Sequence, residues 1–218
     1  MSKLKTLNHL QDELDKDFAW RLSEIAKLKL LLKRDDPLPK TVTARALVCL
    51  LYAHWEGFVK KAAEDYVTFV SNQRHNLEAL QSCFVVIGAK KHVVNIADSR
   101  KAHVNIEAVD FFRSQLTKRA NLMLSTAIDT ESNLRSYVLE NIALSVGLDP
   151  SAFSTRQNQI DVDLVDRRNT IAHGNYLDLS PTECTTLTND ILELIRLFKR
   201  LVENAASNKH YLLDPAAS

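Results

Sequence analysis

The chain is poor in the residues that turn or interrupt helices, since its 218 residues include only four glycines and five prolines. A composition with 45% hydrophobic and 25% charged residues and so few turn-forming residues is typical of long helices. We therefore predict an all-α fold. The length fits one domain with a sizeable core of its own, which we place at residues 1–207, followed by a frayed tail at 208–218.

Cysteine is also scarce, and long apolar runs are missing. The three cysteines are odd in number and lack metal-ligand spacing, so we interpret them as reduced core thiols of a cytoplasmic protein; they are Cys49, Cys83 and Cys184. No stretch approaches the roughly 20 apolar residues that a bilayer requires, and residues 1–10 lack a continuous apolar segment. We expect no membrane association, no bound metal and no cofactor.

Excess charge of one sign is absent too. The formal net charge is +1, which gives no global attraction to nucleic acid or membrane. Any binding of an anionic partner must therefore come from local patches of basic side chains.

What the chain does have is helical periodicity. Residues 4–33 and 41–71 each carry one apolar stripe with a spacing of three or four, as on one face of a helix. Pro37 and Pro39 interrupt the helical pattern between these two segments. We therefore predict two long helices in an antiparallel hairpin. Similar stripes predict helices over 107–125, from 134 to 147, and from 157 or 161 to 173.

The last helix has the clearest boundaries. Ser180, Pro181 and Glu183 have the order of an N-cap, a first-turn proline and a capping box. An apolar stripe follows, and we predict that the helix ends near Ser207.

The region 75–103 has the weakest pattern. Residues 83–87 favour β-structure, yet the run is short and isolated, so we predict a short helix and an irregular excursion. Within it, residues 90–103 hold four basic residues against one acid, Asp98. They are candidates for contacts to RNA phosphates, with a solvated loop as the alternative; they are Lys90, Lys91, Arg100 and Lys101.

The chemistry is concentrated at one helix end. Arg168 offers a planar cation for phosphate oxygens, His173 can move protons near neutral pH, and Asn169 can orient either of them. Asn169 and His173, four residues apart, share a helix face, whereas Arg168 lies about 140° around the helix from His173. Gly174 is the usual residue for a left-handed helix stop. The alternative is a capped helix end with Arg168 in ion pairs to Asp161 or Asp166.

This motif, placed before the final helix of a helical bundle, resembles that of the HEPN superfamily, whose ribonucleases carry an arginine, a polar residue, three further residues and a histidine. A second stretch resembles the first hairpin of stand-alone bacterial HEPN proteins from toxin and defence systems; it reads Tyr52-Ala53-His54-Trp55-Glu56-Gly57-Phe58-Val59-Lys60. The resemblance implies a HEPN-like helical bundle with long antiparallel helices.

It also implies a metal-independent endoribonuclease with Arg168, Asn169 and His173 in the catalytic site. Attack by the ribose 2′-hydroxyl would leave a 2′,3′-cyclic phosphate. The implied active unit is a homodimer, whose two-fold axis brings a second histidine to a composite site. The alternative is a catalytically silent module acting in dimerisation, nucleotide binding or partner regulation. Whether the chain is a ribonuclease or a silent module, an antitoxin or another regulatory protein is an expected partner.

Other residues have two interpretations each. Glu56 is a second polar group of the site or an ion-pair partner of Lys60. Gly57 allows close approach of a helix or of a ligand, and Trp55 is a core residue or stacks on a base. Arg167 contacts phosphate or pairs with Asp163.

Overall fold

The first two helices form an antiparallel hairpin, as predicted. They are α1 (Leu7–Lys33) and α2 (Lys40–Asn72). The amide of Asn72 donates to the carbonyl of Leu4 at 2.9 Å, and Arg21 reaches the carbonyl of His54 at 3.4 Å, so the helices run in opposite directions. The computed structural model describes residues 4–33, 40–122 and 128–213; the predicted break at Pro37 and Pro39 lies outside them.

The prediction of an irregular excursion around 75–103 was wrong, because most of this region is helical. It forms α3 (Ser82–Asp98), and α4 (Ala102–Ser114) follows and packs against it. Phe84 and Ile87, three residues apart, lie on one face of α3 and are buried in the core. Burial of this face outweighs the β-preference of the local sequence.

Helix α4 is shorter than the predicted helix at 107–125. The chain turns after Ser114, and the N–H of Leu77 donates to the carbonyl of Lys118 at 3.1 Å. The N–H of Ala120 donates to the carbonyl of His75 at 2.9 Å. These non-helical hydrogen bonds fix the segment against the start of the 75–103 region. Residues 123–125 lie outside the described part of the chain.

The motif lies in a helix of mixed geometry. After α5 (Ser136–Ser145) come a 3₁₀ segment (Pro150–Arg156), a π-helical segment (Gln159–Asp166) and α6 (Arg167–Ala172). Gly174 has a φ of 78°, so it provides the predicted left-handed stop.

The final helix, α7 (Pro181–Ser207), has the predicted boundaries. The hydroxyl of Ser180 accepts from the N–H of Glu183 at 3.2 Å, and the carboxylate of Glu183 accepts from the N–H of Ser180 at 2.9 Å. This reciprocal capping box satisfies two otherwise unpaired donors. Helix α7 packs along both α1 and α2, so these three long helices form the centre of the bundle.

The expectation of a frayed tail from residue 208 was wrong for its first part. Tyr211 and Leu212 are buried, and the ring of Tyr211 packs edge-on to Phe69 with centroids 6.0 Å apart. The N–H of Gln81 donates to the carbonyl of Tyr211 at 2.9 Å. Apolar burial and backbone pairing hold this segment in place, while residues 214–218 lie outside the described residues.

The core is one connected cluster that extends from Leu4 to Leu212. In the three described stretches no β-strand forms, and only two isolated bridges occur. None of the helices in the described part of the chain is long and apolar enough to cross a bilayer.

A buried ion pair on α1 lies against α2, because Arg21 also reaches the carbonyl of His54. The Nε of Arg21 donates to Asp17 at 2.7 Å, and both side chains are 8% exposed. A Cβ at Gly57 would lie 2.9 Å from an Nη of Arg21. Close packing was one of the two predicted roles of Gly57, and the group that approaches it is this arginine side chain.

We predict that Asp17→Ala lowers the free energy of unfolding by about 3–5 kcal/mol, because it leaves the charge of Arg21 buried and unpaired. Urea unfolding measures this loss. The control is Glu13→Ala, which breaks a solvent-exposed pair with Lys16 and should change stability little. If the two variants lose equally little, Arg21 is not held by Asp17.

Candidate active site

Helix α6 packs on α2 and brings the motif against that helix. Arg168 and Asn169 are half-buried, whereas His173 is the exposed residue that ends α6. The π-helical segment that precedes Arg168 has wider turns than an α-helix, a distortion that often accompanies functional sites.

The guanidinium of Arg168 is held by two neighbours. One Nη donates to the Oδ1 of Asn169 at 2.7 Å, and the guanidinium carbon lies 4.1 Å from the ring centroid of Tyr52 on α2. The amide of Asn169 in turn lies 3.5 Å from the Oδ1 of Asn133. Asn169 therefore orients the guanidinium, and the ring face of Tyr52 packs against it in a cation–π contact.

The alternative ion pairs of Arg168 do not form. The carboxylate of Asp161 accepts from the N–H and hydroxyl of Ser136 at 2.7 and 2.6 Å, and Asp166 pairs with Arg135. Among the residues that the structure describes, no carboxylate lies within 4 Å of Arg168. Its positive charge therefore remains available to an anion.

Tyr52 contacts Arg168 and was not among the residues that the sequence predicted for the candidate site. Its hydroxyl accepts from the N–H of Leu134 at 2.8 Å. Burial raises the pKa of the Tyr52 hydroxyl, and the nearby Glu56 carboxylate raises it further, against the opposing effects of the Leu134 N–H and of Arg168. The phenol stays neutral at physiological pH and supports the guanidinium as a fixed ring.

Trp55 also contacts the backbone of Leu134. The indole N–H donates to the carbonyl of Leu134 at 3.4 Å, and the side chain is fully buried. Trp55 is therefore a core residue, and stacking on a base is excluded. Together with Tyr52 it fixes both backbone groups of Leu134 against α2.

Glu56 lies one helical turn after Tyr52 and is half-buried. Its alternative ion pair with Lys60 does not form within 4 Å in the described part of the chain, and the charge of Lys60 acts on Glu64 instead. The charge of Glu56 lies close to the hydroxyl of Tyr52, whose ring contacts Arg168.

His173 contacts Asn169 through its backbone only. Its N–H donates to the carbonyl of Asn169 at 2.9 Å, and its imidazole is exposed. The side chain has no hydrogen-bond or ion-pair partner among the described residues. Arg168, Asn169 and Tyr52 are thus brought into contact, while the histidine side chain lies open to solvent at the end of the same helix.

The other basic candidates lie elsewhere. Lys90 and Lys91 are exposed on α3, and Arg100 and Lys101 are exposed between α3 and α4. These helices pack on each other and α3 also packs on α5, whereas α6 packs on α2. The structure does not group them with Arg168.

Arg167 follows the second of its two interpretations, since it pairs with Asp163 at 3.4 Å.

The sequence matches one known family over most of its length. The model of the family described as RiboL-PSP-HEPN matches residues 16–204. No curated protein and no solved structure matches the chain. The matched range includes α2, α6 and nearly all of α7, and therefore every candidate residue of the site.

We predict that Tyr52→Phe lowers the free energy of unfolding at pH 7 by about 1–3 kcal/mol, because the N–H of Leu134 loses its acceptor. Chemical denaturation measures the change. Tyr176→Phe is the control, since Tyr176 is 72% exposed and its hydroxyl has no partner among the described residues; it should unfold like the wild type. Equal stability of all three proteins would contradict the role of the Tyr52 hydroxyl.

The same variant has a signature at high pH. Burial raises the pKa of Tyr52 in the folded state above that of the unfolded chain, so its contribution is present at neutral pH and is lost as the pH rises above about 10. The loss of melting temperature above pH 10 should be shallower in Tyr52→Phe than in the wild type.

Proposed function

Because the chain belongs to the RiboL-PSP-HEPN family, we propose that it is a metal-independent endoribonuclease. Membership in a HEPN family points to a nuclease or another RNA-related role. The more specific proposal of ribonuclease activity is supported by the contacts of Arg168. Asn169 and Tyr52 hold its guanidinium, and no carboxylate among the described residues lies within 4 Å of it. An oriented arginine without an anionic partner is suited to bind a phosphate.

The reaction that suits these groups is internal transfer at phosphorus. The ribose 2′-oxygen forms a bond to the adjacent phosphorus while the bond to the 5′-oxygen breaks. His173 takes the proton from the 2′-hydroxyl, which is worth about 10²–10⁴-fold in rate. Arg168 stabilises the negative charge on the phosphorane oxygens. The products are a 2′,3′-cyclic phosphate and a 5′-hydroxyl.

The departing 5′-oxygen needs a proton from a second group. Within one chain no other histidine accompanies His173 on α6. A homodimer supplies the acid when its two-fold axis places a second His173 across the cleft. The exposed position of His173 at the end of α6 leaves it free to face such a cleft.

One observation favours the alternative of a silent module. The imidazole of His173 has no side-chain partner in the described part of the chain, so none of the described residues fixes its orientation. A protein that never assembles the second half of the site would keep the motif only for dimerisation, nucleotide binding or partner regulation.

We predict that the wild-type protein cleaves end-labelled RNA in excess EDTA and that His173→Ala lowers the rate by about 10²–10⁴-fold with its melting temperature unchanged. Mapping of the product ends should show a 2′,3′-cyclic phosphate. His103→Ala is the control, because it removes an exposed histidine of α4, and it should cleave normally.

No cleavage of any RNA by the wild type, with a large loss of stability in His173→Ala, would favour the silent module.

The biological setting that we propose is a toxin or antiviral effector in the cytoplasm, restrained by an antitoxin or another partner. Expression of the wild type should then stop cell growth, and Arg168→Ala should restore it. Toxicity that survives Arg168→Ala would contradict the ribonuclease setting. A protein that is harmless alone but protects cells from a nucleotidyl-transferring enzyme would be an antitoxin-like partner.

A further inference from the structure

A second arginine lies on the same face of α2 as Tyr52. Arg45, Cys49, Tyr52 and Glu56 follow one another at spacings of four, three and four residues, which places them on one side of the helix. Tyr52 comes seven positions after Arg45 in the helix, a rise of about 10 Å. The row therefore carries a second cation close to the place where Arg168 stacks on Tyr52.

Arg45 faces the segment that follows the motif. One Nη donates to the carbonyl of Asn175 at 3.1 Å, and the guanidinium carbon lies 5.9 Å from the ring centroid of Tyr176. Asn175 comes two residues after His173. The half-buried side chain of Arg45 thus borders the end of α6 that carries the candidate catalytic histidine.

Among the described residues, Arg45 makes one hydrogen bond through its side chain. Its Nε is buried without a partner there, and its hydrogen bond to Asn175 uses one of five N–H donors. No carboxylate lies within 4 Å of its guanidinium in residues 4–33, 40–122 and 128–213. Arg45 is thus a second half-buried cation without a counter-charge.

Cys49 shows that the two arginines act on the same space. Burial raises the pKa of its thiol, and the positive charges of Arg168 and Arg45 oppose that rise. Both guanidinium groups are therefore close enough to affect one side chain of α2. Two like charges near each other in a partly buried place favour the binding of an anion between or beside them.

We infer that Arg45 binds a phosphate of the RNA next to the scissile one, so that Arg45 and Arg168 together hold two neighbouring phosphates. This inference rests on the proposed ribonuclease function. Arg45 would contribute to binding and to the register of the strand, whereas Arg168 acts at the reacting phosphorus. Its planar donor fork suits phosphate oxygens.

A purely structural role for Arg45 makes a different prediction. If Arg45 only tethers Asn175, its loss should lower the melting temperature and disturb His173, with the salt dependence of RNA binding unchanged. A phosphate contact instead changes that salt dependence, because neutralising a phosphate releases counterions.

The test is the binding of a fully 2′-O-methylated RNA, which lacks the nucleophile and stays intact, followed by fluorescence anisotropy at several salt concentrations in EDTA. For Arg45→Gln we expect about tenfold weaker binding. The slope of log binding constant against log salt should shrink by about 0.7, the value for one phosphate contact on a single strand. Arg45→Lys, which keeps the charge, should retain the slope.

Two further variants guard against misfolding and non-specific charge effects. Val42 is 50% exposed one turn before Arg45, so Val42→Glu adds a neighbouring carboxylate without removing a buried group; it should weaken binding where Val42→Gln does not. Arg200→Gln removes the same charge from an exposed position on α7 and should leave the slope nearly unchanged.

The experiments distinguish a failure of the Arg45 phosphate contact from a failure of the proposed ribonuclease function. Normal cleavage of unmodified RNA together with a wild-type slope in folded Arg45→Gln and Val42→Glu would overturn the phosphate contact and leave the ribonuclease in place. A wild-type protein that neither cleaves RNA nor binds the methylated strand would overturn both.

Discussion

The guanidinium of Arg168 stays in place because separate parts of the chain hold it. Tyr52 supports it from α2 at 4.1 Å, and Asn169 of α6 accepts its hydrogen bond. Tyr52 is itself anchored by the N–H of Leu134. Since α1 and α7 both pack along α2, the long helices of the bundle serve as the support on which the motif is positioned.

Charge pairing distinguishes this arginine from the arginines that stabilise the fold. Arg21, Arg135, Arg156 and Arg167 each pair with a carboxylate. Arg168 and Arg45 lie half-buried beside the same helix face without a carboxylate within 4 Å in the described part of the chain. A buried or partly buried charge is costly unless it is paired, so an anionic ligand would supply the missing partner. A phosphodiester has the charge and the geometry for this role.

The sequence predicted the features that depend on local pattern. Each of these signals involves residues that are close together in the sequence. They are the apolar stripes of α1, α2 and α7, the capping box at Ser180 and the helix stop at Gly174. Helix α3 was missed because its β-favouring residues become helical only when Phe84 and Ile87 are buried against other elements. The π-helical segment before Arg168 has no comparable signal in the sequence.

The site was predicted in part for the same reason. Arg168, Asn169 and His173 are close in the chain and form a recognisable motif. Tyr52 and Arg45 belong to a distant helix, so their contacts with the motif depend on how α6 packs on α2. The alternative ion pairs of Arg168 do not form because Asp161 and Asp166 bind Ser136 and Arg135 at the start of α5.

We propose that Arg168 and His173 cleave RNA by attack of the 2′-oxygen. The most direct measurement uses two RNA strands that differ by a single 2′-deoxy sugar on the 5′ side of a mapped cleavage point. If the 2′-oxygen is the nucleophile, this one substitution should abolish cleavage at that point and leave cleavage at other points intact. Cleavage at the deoxy position at an undiminished rate would contradict it, because no 2′-hydroxyl would be there to attack.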